Sequence, residues 1–150
     1  MNSILSKLTM AILTLVVSTL VFAADKSKEE WLFVHTAQEA QVTSSTLVMP
    51  ISRDIFSFTD RPYRKHSYLT GDKFASLWSD SSSDSFKVNP PNAVLTWIEE
   101  GVIKEVEVVI ANATSDGKNI TYTLKNNHTL NAELKDVSIF VDGYAHCPCK

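Results

Sequence analysis

Apolar and polar residues alternate with a period of two along much of the second half of the chain, as in strands that bury one face. The segments with this pattern are residues 93–98, 104–112, 119–126 and 136–143. Asp116-Gly117, between the second and third segments, suits a tight type I′ turn, and Glu99 to Gly101 make a similar break after the first. We therefore predict an antiparallel meander.

The first half of the chain combines strand-like segments with one helix. Its strand-like segments, rich in β-branched and aromatic residues, are 30–37, 45–50 and 54–60. Thr70 is placed to cap a helix in which Phe74, Leu77 and Trp78 recur with helical spacing. Many short strands with one short helix predict a mainly β domain, either an antiparallel β-sandwich or a partly closed barrel.

The N-terminus has the pattern of an export signal. Lys7 precedes an uncharged apolar run, residues 8–22, and Val21 and Ala23 are small residues at the positions that precede cleavage. A membrane anchor is the alternative, but the run is shorter than the roughly 20 residues that a spanning helix needs. We predict a signal peptide over residues 1–23 and a secreted or periplasmic, soluble domain over 24–143 with no membrane span.

Charge and composition exclude several classes of function. The formal net charge is −3, and no long basic patch is present to neutralise phosphates, so we expect no nucleic-acid partner. The four glycines are scattered, and no phosphate-binding loop, G-x-S-x-G or H-E-x-x-H motif occurs. We expect a monomer without a cofactor.

A charged cluster follows the third strand-like segment. Arg61 and Arg64 offer planar donor groups suited to a carboxylate or phosphate, and His66 is able to transfer a proton near neutral pH. Alternatively the cluster is a structural brace: Asp60 ends a strand and accepts backbone N–H groups, Pro62 stops the ladder, and an arginine reaches back to a carboxylate or a free carbonyl. We favour the brace, with a binding site or a small hydrolase-like site as alternatives.

Asn92 follows two prolines at the start of a predicted strand. Pro90 and Pro91 predict a rigid, extended approach with a cis bond at one of them. The Asn92 side chain either closes a turn, which we favour, or presents its amide to a ligand.

The C-terminal segment is a candidate metal site. His146, Cys147 and Cys149 supply one imidazole and two thiols, which suit Cu(I) or Zn²⁺. A fourth ligand is missing nearby, and a flexible tail over residues 144–150 is the alternative. We expect that the tail binds no metal and that its removal leaves stability unchanged, because it holds no core residue.

His35 lies within an apolar segment. We predict that it is a hydrogen-bonded core or edge residue rather than a ligand.

Three motifs in fixed order resemble a family of small exported proteins from bacteria and some algae. They are F-x-F-x-D-R-P-x-R over Phe56–Arg64, F-x-x-x-W over Phe74–Trp78 and F-x-x-x-P-P-N-A over Phe86–Ala93. The strand Val137–Asp142 is similar to the closing strand of that family, whereas the cysteine-containing tail is outside its pattern. The resemblance implies export and a compact domain, and it implies no particular reaction.

Overall fold

The computed structural model describes residues 29–79, 81–83, 85–125 and 132–144. These residues form eight antiparallel strands and one short helix that continues into a 3₁₀ turn. The elements are β1 (Trp31–Val42), β2 (Thr46–Pro50), β3 (Ile55–Thr59), β4 (His66–Leu69), α1 (Gly71–Ala75) with its 3₁₀ extension (Ser76–Trp78), β5 (Asn92–Glu99), β6 (Val102–Ser115), β7 (Asn119–Leu124) and β8 (Ala132–Tyr144).

Six of the strands close into an antiparallel barrel. Around the barrel the order is β1, β2, β7, β6, β5, β8 and back to β1. Strand β1 shares ten residue pairs with β8, but only two, Gln41–Val48 and Val42–Leu47, close the barrel against β2. Strands β3 and β4 extend from the N-terminal half of β1. The predicted mainly β fold with one short helix is confirmed, with the barrel as its form.

The strand order differs from the predicted meander at one point. Strands β5, β6 and β7 are consecutive neighbours as predicted, but β8 pairs with β5 and β1 instead of β7. Strand β1 is also longer than its predicted segment. Gln38 and Glu39 are both exposed between the buried Ala37 and Ala40, so the alternation that marks the strand is interrupted there.

The inward positions of the strands form one hydrophobic core. The alternation found in the sequence correctly identifies these positions, because its apolar residues are buried side by side inside the barrel. Among them are Val108, Ile110, Ile120, Tyr122, Leu124, Val137, Ile139 and Val141. Each such aliphatic or aromatic side chain contributes about 1.5–3 kcal/mol when removed from water.

The helix covers one end of the barrel. Thr70 caps it as predicted, since its hydroxyl accepts from the backbone N–H of Lys73 at 3.3 Å. Phe74 packs against rings from two strands of the barrel, Phe33 of β1 at 5.1 Å and Tyr122 of β7 at 6.4 Å between centroids. The Trp78 indole donates to the carbonyl of Ile110 at 3.2 Å, beside an irregularity in the β6–β7 register.

One of the two predicted hairpin turns has the expected type and the other does not. Glu100 and Gly101 have φ values of +50° and +76°, the two consecutive positive values of a type I′ turn. At the other turn only Gly117 has a positive φ, so the type I′ assignment to Asp116-Gly117 is wrong. The Asp116 carboxylate instead accepts from the N–H groups of Lys118 and Asn119, and these bonds lower the pKa of Asp116.

Tyr144 corrects the predicted start of the tail. It is the last residue of β8, is 8 % exposed, and lies with its ring centroid 5.0 Å from that of Phe86. Removal of residues 144–150 would therefore remove a core aromatic. The predicted signal peptide, residues 1–23, lies outside the described residues. No helix in the described ranges has the length and apolar character needed to cross a membrane.

Candidate functional site

The charged cluster forms the loop that joins β3 to β4. The carbonyl of Asp60 accepts from the N–H groups of Tyr63 at 3.0 Å and Arg64 at 3.2 Å. At the base of the loop, Thr59 N–H donates to the carbonyl of Lys65, and Lys65 N–H donates to the Thr59 hydroxyl. Backbone groups and one threonine therefore close this corner.

The two arginines of the loop are exposed. The Asp60 carboxylate accepts from the adjacent Arg61 N–H at 2.5 Å. Neither guanidinium, of Arg61 or Arg64, forms an ion pair or side-chain hydrogen bond with any described residue. The predicted tie from an arginine back to a carboxylate or carbonyl is thus not formed within the described part of the chain. Arg64 also has a φ of +51°, in the left-handed region.

His66 belongs to an aromatic surface on the two-stranded extension. It lies opposite Phe58, and its ring centroid is 6.4 Å from that of Phe56. Phe56 contacts Phe58 at 5.6 Å and Tyr68 at 5.3 Å on the same face. We call these four residues, Phe56, Phe58, His66 and Tyr68, the outer aromatic patch. The His66 imidazole has no hydrogen-bond partner among the described residues.

The patch continues into a groove on the outer wall of the barrel. The groove has a volume of about 520 Å³ and runs across β3, β1, β8, β5 and β6. Register places its outward side chains in contact across strands: Leu32 is opposite Phe58, and Phe140 lies between Val34 and Val94. We call this feature the outer groove; its outward side chains are Leu32, Val34, Phe58, Asn92, Val94, Glu107, Val109, Phe140 and Asp142.

The polar side chains of the outer groove are Asn92, Glu107 and Asp142. All three are exposed, and within the described ranges the two carboxylates have no ion-pair partner. The Asn92 amide makes no side-chain hydrogen bond there either, so the favoured turn-closing role is not supported. Of the predicted binding residues, Asn92 lines the groove and His66 adjoins it through Phe58.

Sequence reasoning missed Glu107, Phe140 and Asp142 as groove residues. A signal for the groove exists in the sequence, because several strands are apolar at consecutive positions instead of alternate ones. Residues 32–34, 93–95, 108–110 and 139–141 are such runs. Their outward members, distant in the chain, become neighbours only through the strand order.

The proline pair before Asn92 leads directly into the barrel. The carbonyl of Pro91 accepts from Ile110 N–H at 3.0 Å, which extends the β5–β6 ladder by one residue. The cis peptide bond of the described chain is Arg61–Pro62, so the expectation of a cis bond at Pro90 or Pro91 is wrong.

His35 is a hydrogen-bonded core residue, as predicted. Its Nε2 lies 3.0 Å from the carbonyl of Pro50 and its Nδ1 lies 2.8 Å from the Tyr122 hydroxyl. Because a carbonyl only accepts, Nε2 carries the proton and Nδ1 accepts from the tyrosine. Burial lowers the pKa of His35 and raises the pKa of Tyr122. The imidazole thus links β1 to β2 and β7, the strands beside the short β1–β2 pairing that closes the barrel.

The candidate metal ligands His146, Cys147 and Cys149 lie outside the described residues. Within the described ranges, no group of three His, Cys, Asp or Glu side chains is placed to hold a metal ion.

No protein-family model, curated protein or solved structure matches this chain. The resemblance to a family of small exported proteins therefore stays a prediction.

Proposed function

We propose that this protein is a non-catalytic binding domain that holds an apolar or aromatic part of a ligand in the outer groove. The observation that carries the proposal is the apolar outer face of five adjacent strands, centred on Phe140, which is 45 % exposed. The barrel already has a packed interior, so these outward side chains are not needed to fill it. Contiguous exposed apolar surface of this kind commonly marks an interaction site.

The contacts of His66 favour binding over the hydrolase-like alternative. A catalytic base needs a nucleophile within hydrogen-bond reach and a partner that orients its ring. The contacts of His66 in the described structure are aromatic, with Phe56 and the rest of the outer aromatic patch. Arg61 and Arg64 remain available to contact an anionic group of a larger ligand at the edge of this patch.

We also propose that the domain works after export, in the periplasm or outside the cell. The support is the N-terminal pattern of Lys7, the apolar run 8–22 and the small residues before Ala24. Mass spectrometry of the exported protein is expected to find Ala24 as the first residue. An uncleaved chain retained in the membrane would contradict this part of the proposal.

Binding in the outer groove is testable with 3-methylindole, a neutral aromatic probe, by NMR of the ¹⁵N-labelled protein. We expect the largest amide shifts at Leu32, Val34 and Val94. Phe140→Ala should weaken binding about fivefold, because it removes apolar contact area from the groove. The matched control is Ile103→Ala on β6, an apolar side chain that is 72 % exposed and outside the groove, which should bind like the parent.

Two outcomes contradict the binding proposal. One is the absence of saturable shifts at the groove amides. The other is an equal loss of binding in Phe140→Ala and Ile103→Ala, which would indicate non-specific contact with exposed apolar side chains.

A further inference from the structure

The charged side chains that line the outer groove are both negative. Glu107 and Asp142 contribute carboxylates to its wall, and Asn92 contributes an amide, while no lysine or arginine of the described residues lines it. The loop arginines, Arg61 and Arg64, are outside the lining. The lining of the groove therefore offers a ligand negative charge and, among the described residues, no cation.

Both carboxylates stand beside the main apolar contact surface. Glu107 is opposite Val94, and Val94 is in turn opposite Phe140. Asp142 follows Phe140 by two residues on the same strand, and both side chains line the groove. An apolar group packed on Phe140 thus has one carboxylate two strands away, on β6, and another two residues along β8.

We propose that the outer groove selects an amphiphilic cation, a small organic ligand with an apolar or aromatic body and a protonated amine. This inference rests on the proposed binding function and adds the charge of the ligand. The amine would pair with Glu107 or Asp142, while the rings of Phe58 and Phe140 offer faces that attract cations. The groove volume of about 520 Å³ falls in the range typical of small-molecule sites, so we assign it a small organic ligand.

Three indole probes that differ in charge test the proposal: tryptamine, 3-methylindole and indole-3-propionate. Dissociation constants come from the NMR titration of the groove amides. We expect tryptamine to bind about two- to fivefold more tightly than 3-methylindole, the gain typical of exposed ion pairs, and indole-3-propionate to bind more weakly than both. Added salt should reduce the preference for tryptamine and leave the affinity for 3-methylindole nearly unchanged.

Charge-neutralising variants test which carboxylates cause the preference for tryptamine. Glu107→Gln and Asp142→Asn should each lower tryptamine affinity about two- to threefold and together abolish its advantage over 3-methylindole. The amide spectra show whether the variants are folded, and the ratio of the tryptamine affinity to the 3-methylindole affinity in each variant isolates the effect of charge. Glu105→Gln is the matched control, because Glu105 is an exposed carboxylate on the same strand that does not line the groove; it should retain most of the preference.

The outcomes separate this inference from the proposed function. Equal affinities for the three probes would overturn the charge preference and leave the groove as an apolar site, whereas failure of 3-methylindole to bind would overturn the proposed function itself. If the Glu107→Gln/Asp142→Asn double variant still prefers tryptamine, the amine binds to other groups and the proposed pairing with these two carboxylates is wrong. Groove shifts that depend on protein concentration without any probe would assign the groove to a second copy of the chain and overturn the small-ligand assignment.

Discussion

The two aromatic clusters of this molecule use similar side chains in opposite environments. The inner cluster lies beneath the helix, where every ring is at most 8 % exposed and neighbouring centroids are 4.7–6.4 Å apart; it comprises Phe33, Phe74, Trp78, Phe86, Tyr122 and Tyr144. The outer aromatic patch has similar ring spacings, yet Tyr68 within it is 62 % exposed.

Coverage by other elements makes the difference. The inner rings come from the helix and its 3₁₀ extension, from Phe86 and from the barrel wall, and they cover one another, so their burial stabilises the fold. The rings of the outer patch contact each other along β3 and β4, but they lie on the face opposite to the buried Ile55 and Leu69. The comparison teaches that ring contacts alone do not mark a core, and that the uncovered cluster is the one available to a ligand.

The largest expected effect is on stability, when a tyrosine of each cluster is replaced by alanine. Tyr144→Ala should lower the free energy of unfolding by about 3–5 kcal/mol, the usual cost of removing a buried aromatic side chain. Tyr68→Ala should change it by no more than about 0.5 kcal/mol, because the exposed ring leaves no cavity. Urea denaturation of both variants beside the parent measures the difference. Similar losses in the two would mean that the outer patch is also part of the core.

The next effect is the pH dependence of stability that the buried His35 contributes. Burial lowers the pKa of His35, so below the ordinary value near 6.5 the unfolded chain takes up a proton that the folded chain does not. The stability that the neutral His35 contributes is therefore fully present above about pH 6.5. Below that pH the free energy of unfolding should fall, by at most about 1.4 kcal/mol per pH unit for this one proton. Chemical denaturation at a series of pH values between 5 and 8 measures the slope.

A glutamine variant tests this assignment. His35→Gln keeps a side-chain donor for the carbonyl of Pro50 but removes the titrating group, so its stability should depend less on pH in this window. A slope in His35→Gln equal to that of the parent would contradict the assignment to His35.

The smallest effects concern the loop that borders the outer patch. Asp60→Ala removes the acceptor for Arg61 N–H and should cost about 1 kcal/mol. Arg64→Gly relieves a left-handed φ and breaks no side-chain bond of the described structure, so stability should stay constant or rise by up to about 1 kcal/mol. A loss of more than about 1 kcal/mol in Arg64→Gly would restore the arginine as a structural brace.

Local patterns in the sequence correctly predicted the inward residues and the helix. The period of two identifies Ile120, Tyr122 and Leu124 as one buried face, and the helix cap at Thr70 requires only neighbours in the chain. These features depend on contacts within a few residues, so the physical cause is visible in the sequence itself.

The groove and the strand order depend on pairing between distant segments. Nothing in residues 136–143 indicates that β8 pairs with β5 instead of β7, yet this pairing brings Phe140 beside Val94. Tyr144 likewise looked like part of a tail, because its burial depends on Phe33 and Phe86 from other elements. The predicted tie from an arginine is not formed for a related reason. Backbone hydrogen bonds already close the β3–β4 loop, and the Arg64 side chain has no partner in the described chain.

Closure of the barrel also limits how copies of this chain can add to one another through their backbones. A closed ring leaves few unpaired strand edges, and of the described strands only β4 has a single neighbouring strand. Free edges are where chains join into aggregated sheets, and proteins protect them by keeping them short and placing charge beside them. Strand β4 is four residues long and is preceded by Arg64 and Lys65. Strand β4 is thus an unfavourable place to start the growth of a sheet.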